Sequence, residues 1–447
     1  MNTVLPLTEA YLRGKYPITR LLSPQGGIMS GVIRMAGEAT TPDFHMAAAT
    51  LGDMQALFPG ISMTDESGKK GPPIGGAGAD ADPELAWIRA VMESAERYAS
   101  MTHFDDENII ASANELGAQA MELDSVPRCS EREYADPKCP FKRIDKSQPI
   151  RWVRGYSLTD QCPRLVPLVM THLGVKPFVG EQFWNMISTG VAAHFDLETA
   201  LASAICESIE RDAIAMTWLA RLPLPRIQFT APVPSILAPN LGRLNQGLVQ
   251  QYFFDATTDM GVPTIYTVQV MEGHPHLAQY VNCATDFSAA AACAKTIREA
   301  VPARQVFEDG YAFPADFHDF AELHDGAAYM GKPEMGHAFE FLLKSPNMKK
   351  LAEAEMASPL DKHQRLAFLI QRLREKKMDA IAVDLTTDEL RELGIWVVRV
   401  VIPGLMPMST HYRGLFLGHQ RLYDYPASAG YGRLTEADIN PFPQPFA

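Results

Sequence analysis

A mixed α/β fold is what the sequence predicts, and three observations predict it. Residues 380–402 alternate strand, helix and strand: an apolar run at 380–384, a helix over 388–393 stopped by Gly394, and a second apolar run at 396–402. Two long segments, 83–100 and 197–218, repeat apolar residues at helical spacing. Prolines at 223, 225 and 232 lead into strands near Gln228 and over 264–270.

Each element has a local reason. Residues 64–82 (TDESGKKGPPIGGAGADAD) are dense in glycine, proline and charge and read as loop. Asp82 then caps the helix at 83–100, with Pro83 at its first position and Glu84 in its first turn. Residues 101–150 read as polar and irregular. Asp196 caps the helix at 197–218, whose stripe carries Leu201, Ala204, Ile205 and Ser208. An alanine-rich helix follows at 288–300, and an amphipathic one at 360–377. The final residues, 440–447 (NPFPQPFA), can be neither helix nor inner strand and read as extended, polyproline-like chain.

Composition narrows the function. Of 447 residues, 47% are apolar and 21% charged, an ordinary globular balance. Lys plus Arg (40) against Asp plus Glu (53) leaves a net charge of −13. That disfavours nucleic acid and anionic membranes as partners, which need a positive footprint, and leaves nucleotides open. The six cysteines, at 129, 139, 162, 206, 283 and 293, form no C-x-x-C pair and read as reduced, space-filling thiols. No secretory signal and no long apolar span is visible, so a cytoplasmic protein is expected. Gly68-Lys69-Lys70-Gly71 lacks the Ser or Thr of a phosphate loop, and Gly76-Ala77-Gly78 lacks the third glycine of a dinucleotide fingerprint. His274 and His276 have no third and fourth metal ligand nearby and read as solvated loop residues. Cys206 reads as core filler.

One pentapeptide carries chemistry. Glu93-Ser94-Ala95-Glu96-Arg97 returns as Glu207-Ser208-Ile209-Glu210-Arg211, placing Glu, Glu and Arg on one face of each long helix. E-x-x-E-R is expected only about 0.1 times in a chain of this size. The neighbours, Val91 and Tyr98 in one copy, Ile205 and Met216 in the other, are wrong for a solvated face. Four carboxylates in apolar surroundings are costly unless a cation neutralises them, and two arginines offset only part of the charge. Mg2+ takes oxygen ligands and sits between a few carboxylates and substrate phosphates. The two helices are therefore expected to face each other across a Mg–nucleotide site.

With these residues the sequence resembles the YcaO family, ATP-utilising enzymes that activate the backbone of ribosomal peptides, from about residue 20 to the last residue. Residues 86–98 resemble the family's first ATP-site helix and residues 188–213 the second. Residues 289–304 are similar to a later helix, with Glu299 at an acidic position and Lys295 where Arg is usual. Residues 381–407 are similar to the closing strand-helix-strand with its R-x-x-x-P-G-L. Departures are Arg89 in place of Ser, Pro302 in place of Gln, and Phe195 and Thr199 in place of an Asn and a Glu; Glu198 is the nearest substitute carboxylate. The Pro441-x-Pro443-x-Pro445 tail resembles the C-terminus of azoline-forming members, which directs the terminal carboxylate into the active site.

The resemblance implies a YcaO-like fold with paired helices lining a Mg–nucleotide site. It divides the chain into an N-terminal segment (1–63), an ATP-binding domain (64–440) and a tail (441–447). It implies ATP-dependent cyclodehydration of Cys, Ser or Thr in a ribosomally made precursor peptide, with ATP and Mg2+ as cofactors. Glu93, Glu96, Glu207 and Glu210 are the expected Mg2+ ligands. Arg97, Arg211, Glu198, Lys295 and Glu299 complete the nucleotide site, and Pro443, Pro445 and Ala447 deliver the catalytic carboxylate. Expected partners are the precursor peptide, a ubiquitin-activating-enzyme-like leader-binding protein and a flavin dehydrogenase, around a homodimer in a larger complex. A thioamide-forming or accessory member, and a non-catalytic peptide-binding scaffold, are the alternatives.

Overall fold

Three β-sheets meet around the two motif helices in the computed structural model, which describes Leu12 and residues 15–23, 25–37, 41–57 and 75–446. The 68–71 run and Ala447 lie outside the described residues. The first sheet is an antiparallel meander of β1 (Met29–Met35), β2 (His45–Leu51) and β3 (Gly75–Asp80). It joins residues on both sides of position 63, so the N-terminal segment and the start of the ATP-binding domain share one sheet. Helix α1 (Pro83–Met101) packs on β2 and β3, capped as expected by Asp82, whose side chain accepts from the Glu84 amide.

A second sheet begins with β4 (Ile109–Ala111), β5 (Ile150–Ser157), β6 (Cys162–Pro167) and β7 (Val191–His194), and leads into α2 (Leu197–Leu219), capped by Asp196. The third sheet has β8 (Arg226–Gln228), β9 (Gln250–Asp255), β10 (Thr264–Val270), β11 (Gln279–Thr285) and β12 (Met348–Lys350), in the order β11-β10-β9-β8-β12. Helix α3 (Ala289–Glu308) covers β10 and β11 and also reaches β3. After α4 (Lys362–Glu375), the strand-helix-strand read from the sequence appears as β13 (Ile381–Asp384), α5 (Asp388–Glu392) and β14 (Trp396–Val401). These two strands complete the second sheet, ordered β4-β5-β13-β14-β7 with β6 on β5. The mixed α/β reading holds. Among the described residues no helix is long and apolar enough to cross a membrane.

Three local readings are corrected. Residues 75–80 are strand, not loop, because their glycines let α1 come unusually close. A Cβ on Gly76 would sit 2.6 Å from the Ala90 oxygen and the Ser94 nitrogen, and one on Gly78 2.2 Å from the Ala86 oxygen. The Gly76 amide donates to Ser94 Oγ (2.7 Å), which donates in turn to the Ala49 oxygen (3.0 Å), stapling helix to sheet. Helix α3 does not stop at Ala300 but continues through Pro302 to Glu308. Arg304 and Phe307, both fully buried, hold that last turn in the core, which outweighs one missing backbone donor. His274 is not a solvated loop residue; its Nε2 lies 2.6 Å from the Glu308 carboxylate and its ring is largely buried.

Asp212, the residue after the second motif, ties α2 to the C-terminal part. Fully buried, it receives Nε and Nη2 of Arg421 at 2.7 Å each and the Met406 amide at 2.8 Å, while Arg421 Nη2 also reaches Asp259 at 2.8 Å. Removing one partner strands a charge in the interior. Arg421→Ala is expected to cost about 3–5 kcal/mol in urea unfolding, and a loss below about 1 kcal/mol would show that the network is not holding this end of the helix.

Candidate functional site

Each of the four motif carboxylates accepts a hydrogen bond from a backbone amide, and the amides come from all three sheets. Glu93 Oε2 takes the Ala77 amide of β3 (2.9 Å), and Glu96 Oε1 the Ala193 amide of β7 (2.7 Å). Glu207 Oε2 takes the Gly190 amide just before β7 (3.2 Å), and Glu210 Oε2 the Thr285 amide at the end of β11 (2.8 Å). Glu96 and Glu207 therefore reach the same four-residue stretch from two different helices. Helical spacing puts them on facing surfaces, and the sheets hold the facing.

Cations fill part of the space between. Arg97 Nη2 lies 3.2 Å from Glu93 Oε1, and Arg211 pairs with Glu207 (3.4 Å) and Glu210 (3.1 Å). Lys295 of α3 approaches Glu210 (3.6 Å) and Glu299 (3.9 Å), which hold its ammonium well above its usual range. The negative charge is still in excess. Burial, with Glu207 and Glu93 close by, pushes Glu96 up to about 8 despite the Ala193 amide, and burial also raises Glu207 and Glu299. An all-oxygen donor set with unneutralised charge suits a hard divalent cation. Among the described residues no three acidic, His or Cys side chains are already gathered as a cage. The carboxylates are held by backbone instead, which fits Mg2+, an ion that keeps water and phosphate in most of its positions.

The Glu96 shift has a consequence for stability. The folded chain keeps the proton up to about pH 8, whereas a free glutamate loses it near 4.5. Between those values the folded state binds more protons, so stability falls as pH rises through the window. The urea midpoint of the metal-free protein is expected to drop between about pH 5 and pH 9, and the drop to be smaller in Glu96→Gln. Equal slopes in the two proteins would locate the pH dependence elsewhere.

Beside the motif residues lies a cavity of about 410 Å³, reaching from Glu207 and Lys295 along α2 past Cys206 to Asn240 and Phe287. Its size suits a nucleotide. Arg89 and Arg298 also line it; Asp80 lies 3.2 Å from Arg89 and 3.9 Å from Arg298. Arg89, the departure at a Ser position, thus adds a cation at the cavity wall. Cys206 is filler with one face on the cavity, its thiol pushed by burial up to about 12. Glu198 is not brought in. It pairs with His363 of α4, and Thr199 lines the cavity instead. On a helix one position is a rotation of about 100°, enough to exchange wall for rim.

The tail docks. Asn440 donates its amide to the Leu219 oxygen (2.8 Å) and its Nδ2 to the Trp218 oxygen (3.1 Å); Trp218 Nε1 donates to the Phe442 oxygen (3.1 Å), and Tyr412 to that of Pro441 (2.7 Å). A Cβ on Gly326 would sit 2.0 Å from the Gln444 oxygen, so only glycine leaves the tail its path. Pro443, Pro445 and Phe446 are buried, and the Phe446 ring lies 5.2 Å below the Arg211 guanidinium. The chain thus runs back along α2 from Leu219 to Arg211, the residue that holds Glu207 and Glu210. Sequence reasoning did not assign Arg399 of β14 to the site, although it is buried near Glu207 and pulled down by burial to about 10. It is the Arg of the R-x-x-x-P-G-L stretch, quoted for the resemblance but given no role there.

Comparison with known proteins gives the same family that the motifs resemble. The family model described as YcaO cyclodehydratase, ATP and Mg2+ binding, matches residues 76–406. A solved heterocyclase in complex with substrate and cofactor superposes with a TM-score of 0.77 at 20% identity, over 98% of this chain and 57% of that one. The chain spans little more than half of that protein. YcaO from Methanopyrus kandleri, bound with AMPPCP and Mg2+, gives 0.62 at 16% identity over 90% of each chain. The E. coli microcin synthetase McbBCD complex gives 0.62 at 14%, over 93% of this chain and 96% of that one. At these identities the structures speak for the fold.

Proposed function

The chain belongs to the YcaO family of ATP- and Mg2+-dependent cyclodehydratase-type enzymes, and we propose that it converts Cys, Ser or Thr of a ribosomally made precursor peptide into thiazoline or oxazoline. The observation that carries this reading is the docked tail, whose Phe446 lies on Arg211 while Arg211 holds Glu207 and Glu210. A peptide seated at the tail would have its backbone amide beside the nucleotide cavity.

In the ring closure, the side-chain thiol or hydroxyl adds to the preceding carbonyl carbon and the carbonyl π pair moves to oxygen. ATP would supply the phosphoryl group that turns this oxygen into a leaving group, with ADP released, and loss of the amide N–H proton with phosphate would leave the C=N of the ring. The chain's own share is positioning and charge. Glu93, Glu96, Glu207 and Glu210 would hold Mg2+, with Arg97, Arg211, Lys295 and Glu299 around the phosphates. The Ala447 carboxylate, one residue beyond Phe446, is the proposed base for the attacking side chain.

Mg2+ requires Glu96 without its proton. Binding of Mg–nucleotide below about pH 8 is therefore expected to release protons, seen by calorimetry in buffers of different ionisation heat. A leader-binding partner, a flavin dehydrogenase and self-association belong to the same proposal. The test is ATP hydrolysis with and without a candidate precursor peptide and partner, read with product mass. Peptide-stimulated turnover with loss of water supports azoline formation. Exchange of oxygen for sulfur would identify a thioamide-forming member, and no turnover a scaffold.

A further inference from the structure

The nucleotide cavity has two ends of different character. Its wall on α3 is made by Ala291, Ala294, Lys295 and Arg298, a helical stripe that runs about 10 Å along the axis. Phe287, just ahead of that stripe, lies at one end, where the Arg365 guanidinium packs 5.2 Å from its ring. Lys295 and Arg298 lie at the other, on the side of Glu210. Arg298 stands apart there. Its side chain is only 16% exposed, yet it makes no hydrogen bond to any described residue. Of its three nitrogens Nε alone is covered, so Nη1 and Nη2 keep their access where the residue lines the cavity. Its nearest carboxylates are loose contacts, Asp80 Oδ2 at 3.9 Å and Glu299 Oε1 at 3.8 Å. Asp80 is also shared: the same oxygen accepts from Arg89 Nε at 3.3 Å and pairs with Arg89 Nη2 at 3.2 Å. One carboxylate neutralises one guanidinium, not two. Burial, with Arg89 close by, holds Arg298 below the usual arginine range. A largely buried guanidinium with five N–H donors and no acceptor is costly, and the cavity is the open space from which an acceptor can come.

We infer that Arg298, with Arg89 beside it, grips the phosphate oxygens of the nucleotide directly, as a cationic site next to the proposed metal glutamates and independent of the metal. An arginine fork matches two phosphate oxygens at once. Two forks on one carboxylate leave a positive charge for the phosphate chain to neutralise. The two charges of the site then complement the two parts of its ligand: the glutamates wait for Mg2+, the arginine pair for phosphate. The base is left the Phe287 end. The inference rests on the nucleotide site of the proposed function and on nothing in the ring chemistry.

The test titrates the full chain by calorimetry with Mg2+ and a non-hydrolysable ATP analogue, and separately with tripolyphosphate in EDTA, where the metal contributes nothing. Both are expected to bind. Arg298→Gln and Arg89→Gln are each expected to weaken both by about tenfold or more. Arg298→Lys, which keeps the charge without the fork, should recover part of the loss. Asp80→Asn should act in the opposite sense and tighten tripolyphosphate several-fold, since it frees the charge that Asp80 holds; a purely structural cluster would not respond with two signs. The melting transition of each variant checks that it is folded. Folded Arg298→Gln with affinities within a few-fold of the parent would overturn the inference. So would weaker tripolyphosphate binding in Asp80→Asn, no tripolyphosphate binding by the unsubstituted protein, or inorganic phosphate binding as tightly as tripolyphosphate. Water loss from peptide in Arg298→Gln at unchanged nucleotide affinity would sink the arginine pair and leave the proposed function standing. Affinities that follow all these expectations, with no water loss in any precursor, would do the reverse.

Discussion

Glu207→Ala and Glu96→Ala are each expected to lower ATP turnover by roughly 10³-fold, with the protein still folded. Each carboxylate does two things: one oxygen holds a backbone amide, and the negative charge waits for a cation. Losing the amide contact at Gly190 or Ala193 removes one hydrogen bond, worth about 1 kcal/mol. Losing the charge removes part of the acidic cluster proposed to anchor a magnesium-bound triphosphate. Glu96→Ala separates the two effects, because burial already disfavours that carboxylate. Its variant should be no less stable than the parent above pH 8, where the parent must carry the charge unaided. Turnover and nucleotide affinity by calorimetry, read beside the melting midpoint, decide the matter. Turnover within tenfold of the parent in both variants would remove these glutamates from the metal site.

The second large effect concerns the tail. Deleting residues 443–447 is expected to abolish ring formation while Mg–nucleotide binding stays within a few-fold, because the described residues among them, 443–446, do not line the nucleotide cavity. Gly326→Ala asks the same question with a complete chain. Alanine favours the short helix at Leu323–Met330 by about 1 kcal/mol relative to glycine, yet its methyl group would meet the Gln444 oxygen. The variant should therefore fold, displace the tail and lose ring formation as the deletion does. Full ring formation by the truncated protein would reduce the tail to a surface strap.

Much of the frame was legible because it rests on local rules. Asp82 and Asp196 are short polar side chains placed to accept the first free amides of a helix, and each does so. The E-x-x-E-R pair was legible because helical periodicity converts spacing into a shared face. Gly76 and Gly78 misled because glycine is a poor strand residue by itself, and what makes it right for β3 is a helix pressed against it from later in the chain. Pro302 misled in the opposite sense: its local preference lost to the packing of Arg304 and Phe307. Glu198 and Thr199 exchanged places for want of a rotation angle.

Local chemistry in the chain therefore determined the helices, their caps, the paired acidic faces and the excess of negative charge. Tertiary structure alone decided which amides the glutamates clasp, that one stretch before and within β7 serves both helices, and that the tail returns to Arg211. It also decided that Arg399 is buried near Glu207. The reason is range: capping and periodicity act within a few residues, whereas a site assembled from three sheets and a docked tail depends on contacts between segments hundreds of positions apart, such as Asn440 with Trp218, which no local pattern encodes.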